Sequence, residues 1–227
     1  MDATGPADAV LLADGSLRVA IGLAGDSCAS RASRASIDDP DAALLGTVID
    51  PTKTVIADLA AVECANNTDG RPGPGPGGQG LDLTSNPFRL LADYPLPNAL
   101  AVLDAGANAL LSVDESGAIS VLVSDFPDQL QTRPDLQLEQ SPIGAPQTAL
   151  GLPPGGAQIP SQPVPSGVAL RPSDGALWVT ELTGLPFVVG SARIVDVCTG
   201  SAQPYLGGFT TAIDIEHDID DAAYVLE

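Results

Sequence analysis

A two-strand pattern with a tight turn recurs along the chain, and this recurrence limits the possible folds more than any other feature. In its clearest copy, residues 165–181, Val168 and Leu170 alternate with small or polar neighbours, which is typical of a half-buried strand. Asp174 and Gly175 then supply a turn, because both residue types accept tight-turn geometry. Similar hairpins occupy residues 7–21, 88–104 and 211–227. Repeats bury their apolar faces against one another, so the chain is expected to form one array.

The spacing of these hairpins predicts a β-propeller. The aligned valines at positions 19, 102, 179 and 225 lie 83, 77 and 46 residues apart. The shortest interval fits one propeller unit of about 40–50 residues, and the longer intervals contain insertions. A second strand pair follows three of the hairpins. We therefore predict an all-β fold, a partial β-propeller of four-stranded antiparallel blades with three complete blades and half of a fourth. The predicted blades are residues 6–57, 86–124, 165–206 and 210–227.

The connections between the predicted strands differ in length in a way that points to one face. Turns within hairpins are short, whereas the insertions 24–44, 58–84 and 125–164 are long. Each insertion follows the second or the fourth strand of a blade, so all three should leave from the same end, which we name the long-connection face. Insertion 58–84 should begin with a short helix capped by Asp58, and the other two should be a surface loop and an irregular flap. Loops on a rigid scaffold are where sites concentrate, so a site is expected there.

Composition excludes several partners. The net charge of −20 argues against binding to nucleic acid or anionic lipid. The acidity is expected to serve solubility or salt tolerance, with a cation-binding surface as the alternative. The sequence contains no apolar run long enough to insert into a membrane, and residues 1–5 lack the features of a signal peptide.

The cysteines and the single histidine offer little chemistry. Cys28, Cys64 and Cys198 lack C-x-x-C spacing, so no zinc site is expected. Cys28 and Cys64 could form a disulfide, but three free thiols are the favoured interpretation. His217 falls near a hairpin turn away from the long-connection face and is expected to be solvated, which leaves no Ser-His-Asp triad.

Two aligned columns, in which seven of the eight residues are polar or acidic, are expected to meet at the long-connection face. After the second strands stand Ile21, Asp104, Glu181 and Glu227, and entering the first strands are Asp8, Asn86, Ser166 and Thr211. From these we predict that Asn86, Asp104, Glu181 and Ser166 bind a ligand. Ca²⁺ prefers oxygen ligands, so a calcium ion held by Asp104, Glu181 and Glu227 is a further hypothesis. The competing interpretation, which the sequence favours, is that the carboxylates cap turns or bond the backbone of a neighbouring blade.

Several short motifs, spread over nearly the whole chain, are similar to those of one protein family. They are Asp58-Leu59-Ala60-Ala61 with Asn66-Asn67-Thr68-Asp69-Gly70, then Ser85-Asn86-Pro87-Phe88, Leu103-Asp104-Ala105-Gly106-Ala107-Asn108, Glu181-Leu182-Thr183-Gly184-Leu185-Pro186-Phe187 and Gly207-Gly208-Phe209-Thr210. These motifs resemble the ScyD/ScyE family, propeller proteins named from the scytonemin biosynthetic cluster and widespread in bacteria. The resemblance implies an NHL or gluconolactonase-like β-propeller, usually exported to the cell envelope or the exterior, and brings no settled activity.

The chain departs from that family at both ends. Members usually carry a signal peptide and a further blade before the equivalent of Pro6, and they continue beyond the equivalent of Glu227. The resemblance therefore implies an internal fragment of a roughly six-bladed propeller. A blade edge left without its neighbour is a template for pairing, so the apolar run 224–226 is expected to promote self-association or to fray.

Two functions from different classes follow from these observations. The favoured one is a non-catalytic, exported propeller that binds a small molecule, a glycan or a protein on the long-connection face. The alternative is a metal-dependent, lactonase-like hydrolase in which a cation held by Asp104, Glu181 and Asn86 polarises a lactone carbonyl.

Overall fold

Three four-stranded antiparallel sheets form the framework of the described part of the chain. The structure is a computed structural model, and it describes residues 4–23, 27–29, 31–34, 39–72, 80–132, 156–184, 188–198 and 200–227. Blade 1 contains β1 (Thr4–Leu11), β2 (Leu17–Leu23), β3 (Thr47–Ile49) and β4 (Val55–Asp58). Blade 2 contains β5 (Pro87–Ala92), β6 (Leu100–Asp104), β7 (Ala109–Val113) and β8 (Ile119–Val123). Blade 3 contains β11 (Pro163–Leu170), β12 (Leu177–Thr183), β13 (Ala192–Cys198) and β14 (Ser201–Phe209).

The remaining elements are short. A half blade is formed by β15 (Asp214–His217) and β16 (Ala223–Leu226), and a separate two-stranded sheet by β9 (Gln129–Thr132) and β10 (Gln158–Ser161). The helices are α1 (Arg31–Arg34), a 3-10 helix (Pro40–Leu44) and α2 (Leu59–Asn66). None of the helices in the described ranges is both long and apolar enough to span a bilayer.

The sheets are arranged as propeller blades. In each complete blade the strands pair in chain order, and the first strands β1, β5, β11 and β15 lie beside one another in succession. First strands that follow each other around a common axis are the defining arrangement of a propeller. The prediction of an all-β partial propeller is therefore confirmed.

The inner strands of blade 2 are buried on both faces, because this blade packs between blades 1 and 3. All five residues of β6 are buried. Leu100 and Val102 belong to the apolar core shared with blade 1, whereas Ala101 and Leu103 belong to the core shared with blade 3. The period-2 alternation in the sequence thus assigns successive side chains to two different cores, rather than to core and solvent.

The first strand of each complete blade carries a β-bulge at the same place. The pairing register shifts between Pro6 and Asp8, between Pro87 and Arg89, and between Pro165 and Gly167. One extra residue bends a strand and increases its twist. The bulges therefore bring Asp8, Arg89 and Gly167 to equivalent positions near the axis. Asp214 occupies the same position in the half blade.

One arginine connects these positions. Arg89 Nε donates to Asp214 Oδ1 over 3.1 Å, and a second guanidinium nitrogen pairs with the other oxygen of that carboxylate. Arg89 Nη1 also lies 3.4 Å from Asp8 Oδ1, while the Leu90 N–H donates to Asp8 Oδ2 over 2.9 Å. In blade 3 the position equivalent to Arg89 is occupied by Gly167. A Cβ added to this glycine would stand 2.6 Å from the Asp214 Cα. The glycine therefore permits β15 to approach blade 3 closely, within reach of Arg89.

The long connections contact one another, as expected for segments that share one face. The Ser27 N–H of insertion 24–44 donates to the Leu83 carbonyl over 2.9 Å. Arg71 of insertion 58–84 pairs with Asp128 of insertion 125–164 over 2.7 Å. The predicted helix is present as α2, and its cap Asp58 accepts a hydrogen bond from the Ala61 N–H over 3.0 Å. Insertion 125–164, expected to be irregular, includes the strands β9 and β10.

Two expectations about single residues are wrong. Cys28 and Cys64 form a disulfide instead of remaining free, because the bond between Ser27 and Leu83 holds insertion 24–44 against the segment that carries α2. Cys198 is free and exposed. His217 is half-buried rather than solvated, because its ring packs edge-on against Trp178 with the ring centroids 4.8 Å apart.

Removal of the Arg89 charge should weaken the contact between the blades. In Arg89→Met, Asp8 and Asp214 lose their shared cation near the axis, at a cost of about 2–3 kcal/mol in the free energy of unfolding. Urea unfolding measures the loss, and hydrogen exchange should show weaker protection of residues 214–226. The matched variant Arg18→Met removes an arginine whose hydrogen bond goes to the adjacent Leu17 carbonyl. Equal stability of the two variants would contradict this role.

The outer edge of the half blade should promote self-association or fray. In the described part of the chain β16 pairs only with β15, and Tyr224 and Leu226 are 63% and 58% exposed. Charged side chains protect edge strands, so Tyr224→Lys combined with Leu226→Lys should shift the protein towards monomer in concentration-dependent light scattering. A wild-type protein that is monomeric at all concentrations and strongly protected from hydrogen exchange over 211–226 would contradict both outcomes.

Candidate functional site

Asp104, the last residue of β6, is fully buried and holds the loop that follows it. Its Oδ1 accepts hydrogen bonds from the backbone N–H groups of Asn86 at 2.6 Å, Gly106 at 3.0 Å and Ala107 at 3.0 Å. Its Oδ2 accepts from the Ser85 hydroxyl at 2.6 Å. Burial raises the pKa of Asp104, and these hydrogen bonds act in the opposite direction. The carboxylate therefore fastens the loop after β6 to the start of β5.

Asn86 and Ser166 lie between neighbouring blades. The Asn86 side chain reaches Gly22 of blade 1, where an added Cβ would stand 2.8 Å from Asn86 Oδ1. Ser166 is the extra residue of the blade 3 bulge, and its hydroxyl donates to the Ala212 carbonyl over 2.7 Å. The same hydroxyl lies 3.1 Å from the Thr180 hydroxyl. Both residues thus make contacts that join adjacent blades.

Glu181 of β12 is a buried carboxylate with one arginine partner. Its Oε2 pairs with Arg193 of β13, and the same guanidinium donates to the Pro127 carbonyl in insertion 125–164. Burial raises the pKa of Glu181, and Arg193 lowers it part of the way back. The second oxygen, Oε1, is buried and has no hydrogen-bond partner.

The β9–β10 sheet covers the end of β12 with a polar side. In β9, Gln129 and Gln131 are buried, whereas Leu130 between them is 73% exposed. Gln129, with its amide oriented to suit its neighbours, donates to the Ser191 carbonyl over 2.7 Å and accepts from Arg193 Nε over 3.1 Å.

Two buried polar atoms near this sheet have no hydrogen-bond partner in the described part of the chain. Gln131 Oε1 accepts from the Val188 N–H over 3.3 Å, but its Nε2 has no hydrogen-bond partner. The buried hydroxyl of Thr183, two residues beyond Glu181 on the same face of β12, has none either. We call Gln129, Gln131, Glu181, Thr183 and Arg193 the inner polar layer.

The three carboxylates predicted to bind calcium have separate surroundings. Glu227 is exposed, and its Oε1 accepts from the Thr210 N–H over 2.5 Å. Within the described ranges, no group of three or more His, Cys, Asp or Glu side chains is placed to hold a metal ion. Calcium binding by Asp104, Glu181 and Glu227 therefore stays a prediction, and the structure does not bring them together as one set.

Insertion 58–84 has a further polar contact that the sequence did not reveal. Asp69 Oδ2 accepts from the Asn108 amide over 2.8 Å, and its Oδ1 accepts from the Arg71 N–H over 3.0 Å. Burial raises the pKa of Asp69. This carboxylate ties the insertion to the loop between β6 and β7.

Sequence reasoning also missed most of the inner polar layer. The alternation of Gln129, Leu130 and Gln131 is a strand signal, but it lies in a segment whose prolines and polar residues favoured an irregular loop. Thr183 follows Glu181 by two residues and so shares its side of a strand, which the period-2 rule could have found. Arg193 gave no signal, because its partner comes from a different strand.

The sheets and the site define a partial β-propeller with a polar long-connection face. No family model matches the chain, and no curated protein matches it with significance. Among solved structures the chain is similar to the crystal structure of selenomethionine-substituted virginiamycin B lyase from Staphylococcus aureus, at 14% sequence identity and a TM-score of 0.39. The match covers 98% of this chain and 63% of that chain, so this chain spans less than two thirds of that protein's length.

Loss of Arg193 should expose the cost of burying Glu181. In Arg193→Met the carboxylate keeps its burial but loses its cation, which should cost about 3–5 kcal/mol in the free energy of unfolding at neutral pH. Because burial places the folded-state pKa of Glu181 above its ordinary value of 4.5, protonation favours the folded state. The stability deficit against wild type should therefore be small below pH 4.5 and grow as the pH rises through the folded-state pKa.

Urea unfolding of both proteins across this pH range provides the measurement. The double variant Arg193→Met with Glu181→Leu removes both charges and should recover most of the loss at neutral pH. A deficit that is the same at all pH values would show that Arg193 acts through packing alone.

Proposed function

We propose that this chain is a non-catalytic binding propeller whose inner polar layer takes an uncharged, hydroxyl-rich small molecule, with a glycan as the ligand class. The observation that carries this proposal is the set of unpartnered groups between β12 and the β9–β10 sheet. Glu181 Oε1 is an acceptor, Gln131 Nε2 is a donor, and the Thr183 hydroxyl can act as either. A buried polar group without a partner costs about 1–3 kcal/mol, so a ligand that bonds all three gains affinity from them.

The charge balance of the layer favours an uncharged ligand. Arg193 already neutralises Glu181, so the layer carries no net charge for an ionic ligand to pair with. Sugar hydroxyls both donate and accept, which matches a mixture of amide, hydroxyl and carboxylate groups.

The β9–β10 sheet acts as the cover of this site. It contacts blade 3 through the Gly184 N–H, which donates to the Gln162 carbonyl over 3.3 Å, and through Val188 and Gln131. Segments that cover a site commonly move to admit a ligand. In this proposal the cover shifts outward for entry and returns so that Gln131 contacts the bound molecule.

The two buried carboxylates, Asp104 and Glu181, already have hydrogen-bond or ion-pair partners, and this supports a binding function over hydrolysis. A general base must be free to accept a proton from the attacking water. Asp104 already accepts four hydrogen bonds, and Glu181 is paired with Arg193. The lactonase-like alternative would require Asp104 to exchange these partners for a cation.

An exported location belongs to the same proposal, either extracellular or in the cell envelope. The disulfide between Cys28 and Cys64 supports it, because such bonds persist mainly in oxidising compartments. Membership of the ScyD/ScyE family, proposed from the motifs quoted above, agrees with this location.

A saccharide panel tests the binding function. Saturation-transfer NMR with neutral mono- and oligosaccharides should identify a ligand for the wild-type protein. In Gln131→Leu the unpartnered donor is lost, so the affinity should fall about tenfold, equivalent to about 1.4 kcal/mol. The matched control Gln158→Leu changes an exposed glutamine of the same two-stranded sheet and should bind like wild type.

Two results would reject the proposal. One is the absence of any bound saccharide, which would indicate that ordered water satisfies the unpartnered groups of the inner polar layer. The other is equal affinity in Gln131→Leu and Gln158→Leu, which would place the ligand elsewhere on the protein.

A further inference from the structure

The C-terminal end of α2 contains a buried carboxylate that only one hydrogen bond satisfies. Glu63 is 1% exposed. Its Oε2 accepts from the Thr68 N–H over 2.9 Å, while its Oε1 is buried and has no partner among the residues that the structure describes. Burial raises the pKa of Glu63, and the carboxylates of Asp69 and Asp104 raise it further. The negative charge at this point is therefore poorly compensated.

Two further side-chain oxygen atoms, in the turn that follows α2, are also buried without partners among the described residues. They are Asn67 Oδ1 and Thr68 Oγ1. The helix ends at Asn67 in the left-handed conformation, with a φ of 46°, and the Asn67 N–H donates to the Glu63 carbonyl over 2.8 Å. This turn folds Asn67 and Thr68 back towards Glu63. The Thr68 hydroxyl lies near enough to lower the pKa of Glu63, but it does not reach hydrogen-bonding geometry.

The chemistry of the three atoms is that of ligands for a hard cation. They are a carboxylate oxygen, an amide oxygen and a hydroxyl oxygen. Ca²⁺ takes six to eight oxygen ligands from such groups, from backbone carbonyls and from water. A water molecule could bond the same oxygens but would leave the buried charge, and burying an uncompensated charge is expensive. A proton on Glu63 Oε1 would remove the charge but would turn that oxygen into a single donor, with two further unpartnered oxygens, Asn67 Oδ1 and Thr68 Oγ1, still to be satisfied.

We propose that Glu63, Asn67 and Thr68 form a binding site for a hard divalent cation, with Ca²⁺ as the ion. The site is separate from the inner polar layer and from the three carboxylates considered above. The cation would fix the C-terminal end of α2. This end is already attached to neighbouring segments by the hydrogen bond between Asp69 and Asn108 and by the disulfide at Cys64. It would thereby order the start of insertion 58–84 on the long-connection face.

Calorimetry with CaCl₂ on the whole chain, after treatment with a chelator, tests this site. The wild-type protein should give a saturable heat with a Kd of about 10⁻⁴–10⁻³ M, the range of extracellular calcium modules. Its Tm should rise with added CaCl₂. In Glu63→Gln the affinity should fall at least tenfold and the rise in Tm should disappear. The matched variant Glu216→Gln removes the same charge from an exposed position and should behave as wild type.

A second variant keeps the test decisive if Glu63→Gln fails to fold. Thr68→Val keeps the size of the side chain but removes one oxygen, so it should weaken calcium binding about tenfold while circular dichroism shows an intact fold. Unchanged affinity in Thr68→Val would overturn the proposal. So would equal heats in wild type and Glu63→Gln, which would mean general attraction of cations to a chain of net charge −20. The absence of any saturable heat would assign the unpartnered oxygens to water or to a proton.

Discussion

The contact between Arg89, Asp8 and Asp214 is the interaction on which the arrangement of the blades depends. Without the guanidinium, two partly buried carboxylates would stand near the axis with no charge between them. A buried ion pair adds little net stability over an apolar contact, but it penalises any arrangement that separates its members. Arg89 therefore specifies the relative positions of three first strands. The bulges make this contact possible, because they bring equivalent positions of different blades to the same level.

The short-range structure could be predicted from the sequence because hairpin turns and strand alternation are local signals. The same turn device recurs where an aspartate accepts from the N–H two residues later, at Asp14, Asp50, Asp114, Asp174 and Asp218. The pKa values of these aspartates are lowered, because hydrogen bonds favour the charged form. The largest contributions come from the side chains of Ser16, Thr52, Ser116 and Arg171 and from the Ala222 N–H, and the N–H two residues later adds to them. Part of the acidity of the chain thus serves its turns. The second strand of the hairpin 88–104 was predicted correctly and is present as β6, although both of its faces are buried.

The contacts between distant segments could not be predicted from the sequence. Arg89 and Asp214 are 125 residues apart, and Gln131 and Val188 are 57 apart. Which residues meet depends on the bulges, on the packing of the blades and on the path of each insertion, and none of these has a local signal. The pairing of Cys28 with Cys64 and the packing of His217 on Trp178 are of the same kind. The candidate site residues could be predicted from their equivalent positions in the aligned repeats, but the residues that they contact could not.

The two proposed sites differ in the charge that surrounds their carboxylates, and this difference decides the ligand each can take. Glu181 has Arg193 beside it, so its free oxygen acts as a hydrogen-bond acceptor in neutral surroundings. Glu63 has other carboxylates as its charged neighbours, and the turn after its helix contains an amide oxygen and a hydroxyl that are also buried without partners among the described residues. Hydrogen-bond donors of an uncharged molecule suit the first environment, whereas a cation with oxygen ligands suits the second. A propeller with both sites would bind its ligand beneath one insertion and use a metal ion to fix another.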